Sequence, residues 1–182
     1  MDFGVYYIQV TAGLRQQICL LDCIKAGILV PESDIRIDTE GVWFYRGVEM
    51  TRHDITALFF QNLHQSKSGR YFIEKGKQRY PVDVEDTAYV VWNLRWHDNS
   101  DEANETASLL LSDNTMETLD PGTLRIERNH IPYCRIKSGR FEARFSRAAY
   151  YSLADRLAYD PSTGAYYISL NNHRYSLFRE HS

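Results

Sequence analysis

Arg52 and Arg147, in the stretches "MTRHDITALFF" and "FSRAAYYSLADRL", are the residues best placed for chemistry. Each falls one residue inside the start of a predicted helix, where unsatisfied backbone N–H groups and the positive end of the macrodipole favour an anion. A guanidinium fork at that point suits a phosphate or a carboxylate. Arg79 and Arg174, in "KQRYPV" and "NHRYSL", form a second matched pair and lean the same way. "VEDT" sets Glu85 beside Asp86. Neighbours in a strand face opposite ways, so the two carboxylates are poorly placed for acid–base work. A scaffold use competes for every one of these residues. Each arginine can pair with an acidic group such as Glu85, Asp86 or Glu142.

Other chemistries find less support. His53, His64, His97, His130, His173 and His181 form no ligand cluster along the chain. Cys19, Cys23 and Cys134 lack metal spacing, since "CLLDC" separates its sulfurs by three residues rather than two. They read as buried, reduced thiols. There is no Gly-x-Ser-x-Gly elbow, phosphate loop or Gly-x-Gly-x-x-Gly, so neither a metal nor a cofactor is expected. A net charge of -3 with scattered basic residues lacks the footprint of a nucleic-acid binder. No apolar run reaches the roughly 18 residues of a membrane span. The first residues lack the basic and apolar regions of a signal peptide. A cytoplasmic protein without membrane insertion is the expectation.

The elements that must position these residues follow from periodicity. Residues 1–34 read as an N-terminal extension with a short strand and a helix. "IRIDTEGVWFYRG" predicts a hairpin about a Thr-Glu-Gly turn. A helix then opens at Thr51, with Asp54 completing a capping-box-like pair. Ile55, Leu58, Phe59 and Leu63 share one face of it. A hairpin turned at Lys75-Gly76-Lys77 and a strong strand, "EDTAYVVWNLRW", close the first half at residue 96. Residues 97–182 form the second half. An acidic loop leads to strands, to a helix carrying Tyr150, Leu153, Ala154 and Leu157 on one face, and to a hairpin turned at Asn171-Asn172.

The halves repeat. An ungapped offset of 95 residues sets Arg52 on Arg147, Leu58 on Leu153, Gly69 on Gly164, Tyr71 on Tyr166, Ile73 on Ile168, Arg79 on Arg174 and Tyr80 on Tyr175. Upstream, "IRID" meets "LRIE" at a different offset. The expectation is an α+β fold built by duplication of a β-β-α-β-β unit. Two antiparallel-sheet halves would each carry one helix, with a ligand cleft where such halves meet. Edge strands leave a homodimer open.

"DTEGVWFYRGVEMTRHDITALFF", "SGRYFIE" and "PVDVEDTAYVV" resemble the first half of the bacterial domain-of-unknown-function family 1285. "YCRIKSGRFEARFSRAAYYSLADRL" resembles its second half. The chain departs from the family's pattern after "RYFIE", where relatives carry a Thr-Pro-Val-Glu-Lys-like segment and this chain has "KGKQRYP". The resemblance implies a duplicated α+β core whose C-terminal half is superficially like a pleckstrin-homology domain. It also implies a small-molecule, nucleotide-like site at the junction of the halves and a role in signal transduction. A non-catalytic binding protein is therefore the leading expectation. An enzyme acting on an anionic or phosphorylated small molecule, and a structural protein-interaction domain, are the alternatives.

Overall fold

Period-2 alternation sets the strands, and β-branched and aromatic residues fill their inward positions. A computed structural model describes residues 34–97, 105–127 and 130–177 of the 182-residue chain. The predicted N-terminal strand and helix lie outside the described residues, as do Cys19, Cys23, His181 and most of the acidic loop.

The described chain divides into two compact units. The first holds residues 34–38 and Val42–Asp83. Its strands are β1 (Ile35–Ile37), β2 (Trp43–Tyr45), β3 (Val48–Glu49), β4 (Leu63–Gln65), β5 (Tyr71–Lys75) and β6 (Gln78–Val84), and α1 spans His53–Gln61. They form one sheet in the order β3-β2-β1-β6-β5-β4. Ile35, Ile37, Trp43, Ile73, Tyr80 and Val82 are buried, with Ile55, Phe59 and Phe60 of α1. The indole of Trp43 meets the rings of Phe59 and Phe60 at centroid distances of 5.5 and 5.1 Å. That contact ties the helix to the sheet.

The second unit contains β7 (Tyr89–His97), β8 (Thr106–Leu111), β9 (Met116–Thr118), β10 (Arg125–Ile126), β11 (Pro132–Ile136) and β12 (Phe141–Phe145) in one sheet of order β10-β11-β12-β7-β8-β9. α2 (Arg147–Ala154) follows, then a three-stranded sheet of β13 (Ala158–Asp160), β14 (Ala165–Leu170) and β15 (His173–Ser176). The strand β7, assigned by the sequence to the first half, groups here because it is hydrogen-bonded to β12 and β8. It runs parallel to β12, so this sheet is mixed rather than purely antiparallel. Residues Thr39–Gly41 also belong to this unit. Gly41 (φ +79°) approaches so closely that an added Cβ would stand 3.0 Å from Val90 Cγ2.

The fold is α+β and duplicated, and each copy is longer than the predicted β-β-α-β-β unit. The first copy runs β1-β2-β3-α1-β4-β5-β6 and the second β10-β11-β12-α2-β13-β14-β15. In the first copy β1 lies beside β6. In the second, Ile126 at the end of β10 donates its N–H to Leu177 O, just past β15, at 2.9 Å. The strands β4 and β13 escaped sequence reading for one reason. Leu63 and Leu157 continue the apolar stripe of the preceding helix, so a strand beginning there reads as more helix.

Pairing registers show how the copies correspond. Arg36 faces Phe44 and Arg125 faces Tyr133, an offset of 89. The loops between these strands close alike, Asp38 N–H donating to Val42 O and Glu127 N–H to Ile131 O. Gly41 and His130, at matching positions, both have positive φ. In the last hairpins Ile73 faces Tyr80 and Ile168 faces Tyr175, at the expected offset of 95. The helices differ. Ile55 and Phe59 are buried in α1 against Ala149 and Leu153 in α2, an offset of 94. One residue is lost before the second helix and one gained after β13, so the ungapped alignment slips by one across the helix.

The left-handed position then yields a prediction. Gly41→Ala should cost about 1–3 kcal/mol, because strain and a close Cβ contact add. His130→Gly, relieving the same conformation at an exposed position, should change stability by less than about 1 kcal/mol. Urea unfolding midpoints distinguish the two.

Candidate functional site

The slip across the helix decides what the arginines are. Arg52 is the N-cap residue of α1 (φ -85°, ψ 103°) and makes no side-chain cap bond. Thr56 N–H donates to its carbonyl at 3.2 Å, and Tyr150 N–H donates to the carbonyl of Ser146 at 2.9 Å. The counterpart of Arg52 is therefore Ser146, not Arg147. The predicted cap at Thr51 is displaced by one residue. Arg52 instead grips Asp54, with Nε 3.1 Å from Oδ1 and Nη2 2.5 Å from Oδ2. That contact raises the Arg52 pKa and lowers that of Asp54.

Arg79 and Arg174 are true counterparts, and both lie over aromatic rings. Arg79 sits 4.7 Å above Phe72 and Arg174 4.8 Å above Tyr167. The aromatic partners also correspond at the offset of 95. Arg79 additionally pairs with Glu74 at 3.3 Å. A second duplicated stack stands on the first hairpins, Arg36 over Phe44 at 4.4 Å and Arg125 over Tyr133 at 4.7 Å. Both arginine matches in these hairpins follow from cation–π packing across strands, worth about 0.5–1 kcal/mol each at an exposed site.

Glu85 and Asp86 occupy a bend between β6 and β7, not a strand. Asp86 accepts from the Tyr133 hydroxyl at 3.0 Å and pairs with Arg144 at 3.2 Å. The buried Thr87 beside it donates to Tyr89 O and accepts from Arg144 N–H. "VEDT" therefore anchors the start of β7. Glu85 is exposed in the same bend. The carboxylate of Glu142 is held by Arg125 at 2.7 Å.

Arg147 stands apart. It is exposed at the first position of α2 and forms no ion pair or side-chain hydrogen bond among the described residues. Ser146 caps this helix, its Oγ accepting from Ala149 N–H at 3.2 Å and donating to Trp92 O at 3.1 Å. Ser146 N–H donates to Val91 O at 2.9 Å. The helix start is thus bonded directly to β7 at Trp92. There β7 carries a bulge: Val91 faces Leu111 but Asn93 faces Leu110. The extra residue is Trp92, 37% exposed in the middle of a central strand. Bulges re-aim side chains, and recur beside binding sites. At the far end of α2, Trp96 donates its indole N–H to Ser152 O at 2.8 Å, with Arg156 4.8 Å above the ring. Both ends of the helix are fastened to β7.

Sequence reasoning passed over Trp92, because Val90, Trp92, Leu94 and Trp96 alternate as apolar residues without a break. Tyr89, Val90 and Val91 are all buried, and only the pairing register reveals the bulge.

No family model and no curated protein matches the chain. Two solved structures do. A DUF1285 family protein from Silicibacter pomeroyi DSS-3 superposes with a TM-score of 0.66 at 18% identity, over 80% of each chain. The chain has the DUF1285 fold. A second DUF1285 family protein, from Shewanella baltica OS155, gives a TM-score of 0.53 at 19% identity, over 68% of this chain and 91% of that one. At such identities the likeness is one of fold, and the resemblance drawn from the sequence holds at that level. Within the DUF1285 fold of this chain, no described helix is long and apolar enough to cross a membrane, and no described His, Cys, Asp and Glu side chains group as a metal site.

Cys134 is buried, and desolvation pushes its thiol up to about 12 from 9.0, with Glu117, Glu142 and Asp120 adding to the rise. The raised value stabilises the fold below the ordinary thiol range. Stability from this group should therefore fall as pH climbs from 9.0 towards about 12. With Cys19 and Cys23 replaced by Ser, a thiol reagent should label the protein only on unfolding. The helix register has its own check: Ser146→Ala should cost about 1 kcal/mol and Thr51→Ala under about 0.5 kcal/mol in urea denaturation.

Proposed function

We propose that this is a non-catalytic binding protein for a small anionic ligand with a flat ring, nucleotide-like in chemistry, serving signal transduction. The carrying observation is the exposed, bulged Trp92 bonded through Ser146 to the start of α2, where Arg147 forms no ion pair or side-chain hydrogen bond among the described residues. An indole face stacks on a base, and a guanidinium beside helix N–H groups suits a phosphate. These features lie inside the second unit, whereas the sequence reading placed its site at the junction of the halves. Duplication supports the choice. The arginines shared by both copies are taken up in stacks, while Trp92 lies on β7, which has no counterpart in the first copy.

The enzyme alternative has one observation in its favour. His97 Nε2 lies 2.7 Å from Ser108 Oγ, within reach for a base and nucleophile, and Arg95 faces Ser108 across β7 and β8.

A panel of nucleotides and acidic metabolites tests both readings. A ligand at a hundredfold its Kd adds about 2.7 kcal/mol of stability, a rise in Tm of roughly 5–10 °C for a chain of this size. Arg147→Ala should abolish most of that rise, and binding should quench tryptophan fluorescence in a manner lost with Trp92→Leu. No stabilisation by any member of the panel overturns the binding reading. Turnover of a member, lost with Ser108→Ala, replaces it with the enzyme.

A further inference from the structure

The β11–β12 hairpin is where the second copy departs furthest from the first. Residues 135–142 stand where the first copy has only Arg46 and Gly47. At its tip Lys137, Ser138 and Gly139 all have positive φ, at 53°, 57° and 79°. Two side-chain-bearing residues hold that conformation only where their surroundings impose it.

Lys137 supplies the imposing contacts. Its Nζ lies 2.8 Å from Asp113 Oδ2 and 3.1 Å from Glu117 Oε1, and donates to Thr115 Oγ1 at 2.6 Å. Its backbone N–H donates to Glu117 Oε2 at 2.8 Å. The other oxygen of Asp113 accepts from the N–H and hydroxyl of Thr115, which fixes the carboxyl plane. The ring of Tyr89 lies 5.6 Å from Nζ, and the side chains of Lys137 and Asp113 are only 17% and 8% exposed. The amine thus lies 2.8 Å from an oxygen of one carboxylate, with a second carboxylate on the same nitrogen and both partners of the first pair largely shielded from solvent.

We propose that Lys137 and Asp113 join in an intramolecular amide, with Glu117 as the proton shuttle. Glu117 takes a proton from the ammonium, and the neutral Nζ attacks Asp113 Cγ. The new C–N bond forms as the Cγ–Oδ2 bond breaks. Two of the three ammonium protons pass through Glu117 to the departing oxygen, which leaves as water. Ammonium and carboxylate become amide and water, Glu117 is restored, and no oxidant or cofactor is consumed. Fixed approach of the reacting groups replaces a bimolecular encounter. The product ties the tip of the added hairpin to the turn between β8 and β9.

Intact mass of the purified full-length chain, after incubation at neutral pH, is the test. The expected result is a protein one water lighter than its sequence, with a digest peptide joining the segments that carry residues 113 and 137. Lys137→Arg, which keeps the charge but lacks a nucleophilic amine, and Asp113→Ala should both show the full sequence mass. Glu117→Gln should show little or no loss of water. A wild-type chain at full mass overturns the proposal and leaves an ion pair. So does a loss of water that persists in Lys137→Arg. Joined peptides in Glu117→Gln at the wild-type level overturn the role of Glu117.

Discussion

The hydrogen bond from Ile126 N–H to Leu177 O joins the first strand of the second copy to the residue that follows its last. The first copy solves the same problem by placing β1 beside β6. A chain that runs three strands, a helix and three strands must bring its ends together before either hairpin can bury its inner face. That closure is long-range and costs loop entropy, which the apolar rows then offset. Ile35, Ile37, Ile73, Tyr80 and Val82 form such rows in the first copy, and Ile126, Ile168 and Leu177 belong to those of the second.

Cation–π stacks decorate the frame once it is closed. Four arginines, in two corresponding pairs, lie over four aromatic rings on facing or diagonal positions of neighbouring strands. Each stack covers an aromatic ring with a guanidinium. Such an arrangement persists in both copies because it serves the sheet, whatever the protein binds. What differs between the copies is more informative: the strand β7 with its bulge, the long β11–β12 hairpin, and an arginine that begins one helix while its counterpart in the other, His53, is not an arginine. A duplicated scaffold constrains those differences least.

Much of the architecture was legible in the sequence, and each misreading has a physical cause. Alternation and short apolar runs located β1, β2, β5, β6, β7, β8, β10, β11, β12, β14 and β15, and the helices were found from their apolar stripes. β4 and β13 were absorbed into the helices before them because Leu63 and Leu157 satisfy both periods. The repeat was recognised, yet its register failed across the helix. Two one-residue changes cancel over its length, and an ungapped comparison cannot detect a pair that cancels. Arg147 was named as a candidate from its type and position. Trp92 was not, because an aromatic residue in a strand reads as core until its pairing is known.

Composition and periodicity by themselves determined the class of fold, the duplication and where the matched arginines fall, because those properties are local and recur along the chain. Tertiary structure alone decided which residues those arginines meet. Arg52 turns to Asp54, Arg79 and Arg174 to aromatic rings, Asp86 to Arg144 and Tyr133, and Arg147 to none of the described side chains. Partner choice depends on register, and a strand shifted by one residue presents its opposite face. A sequence states what each side chain can do, and pairing selects which of those uses is made.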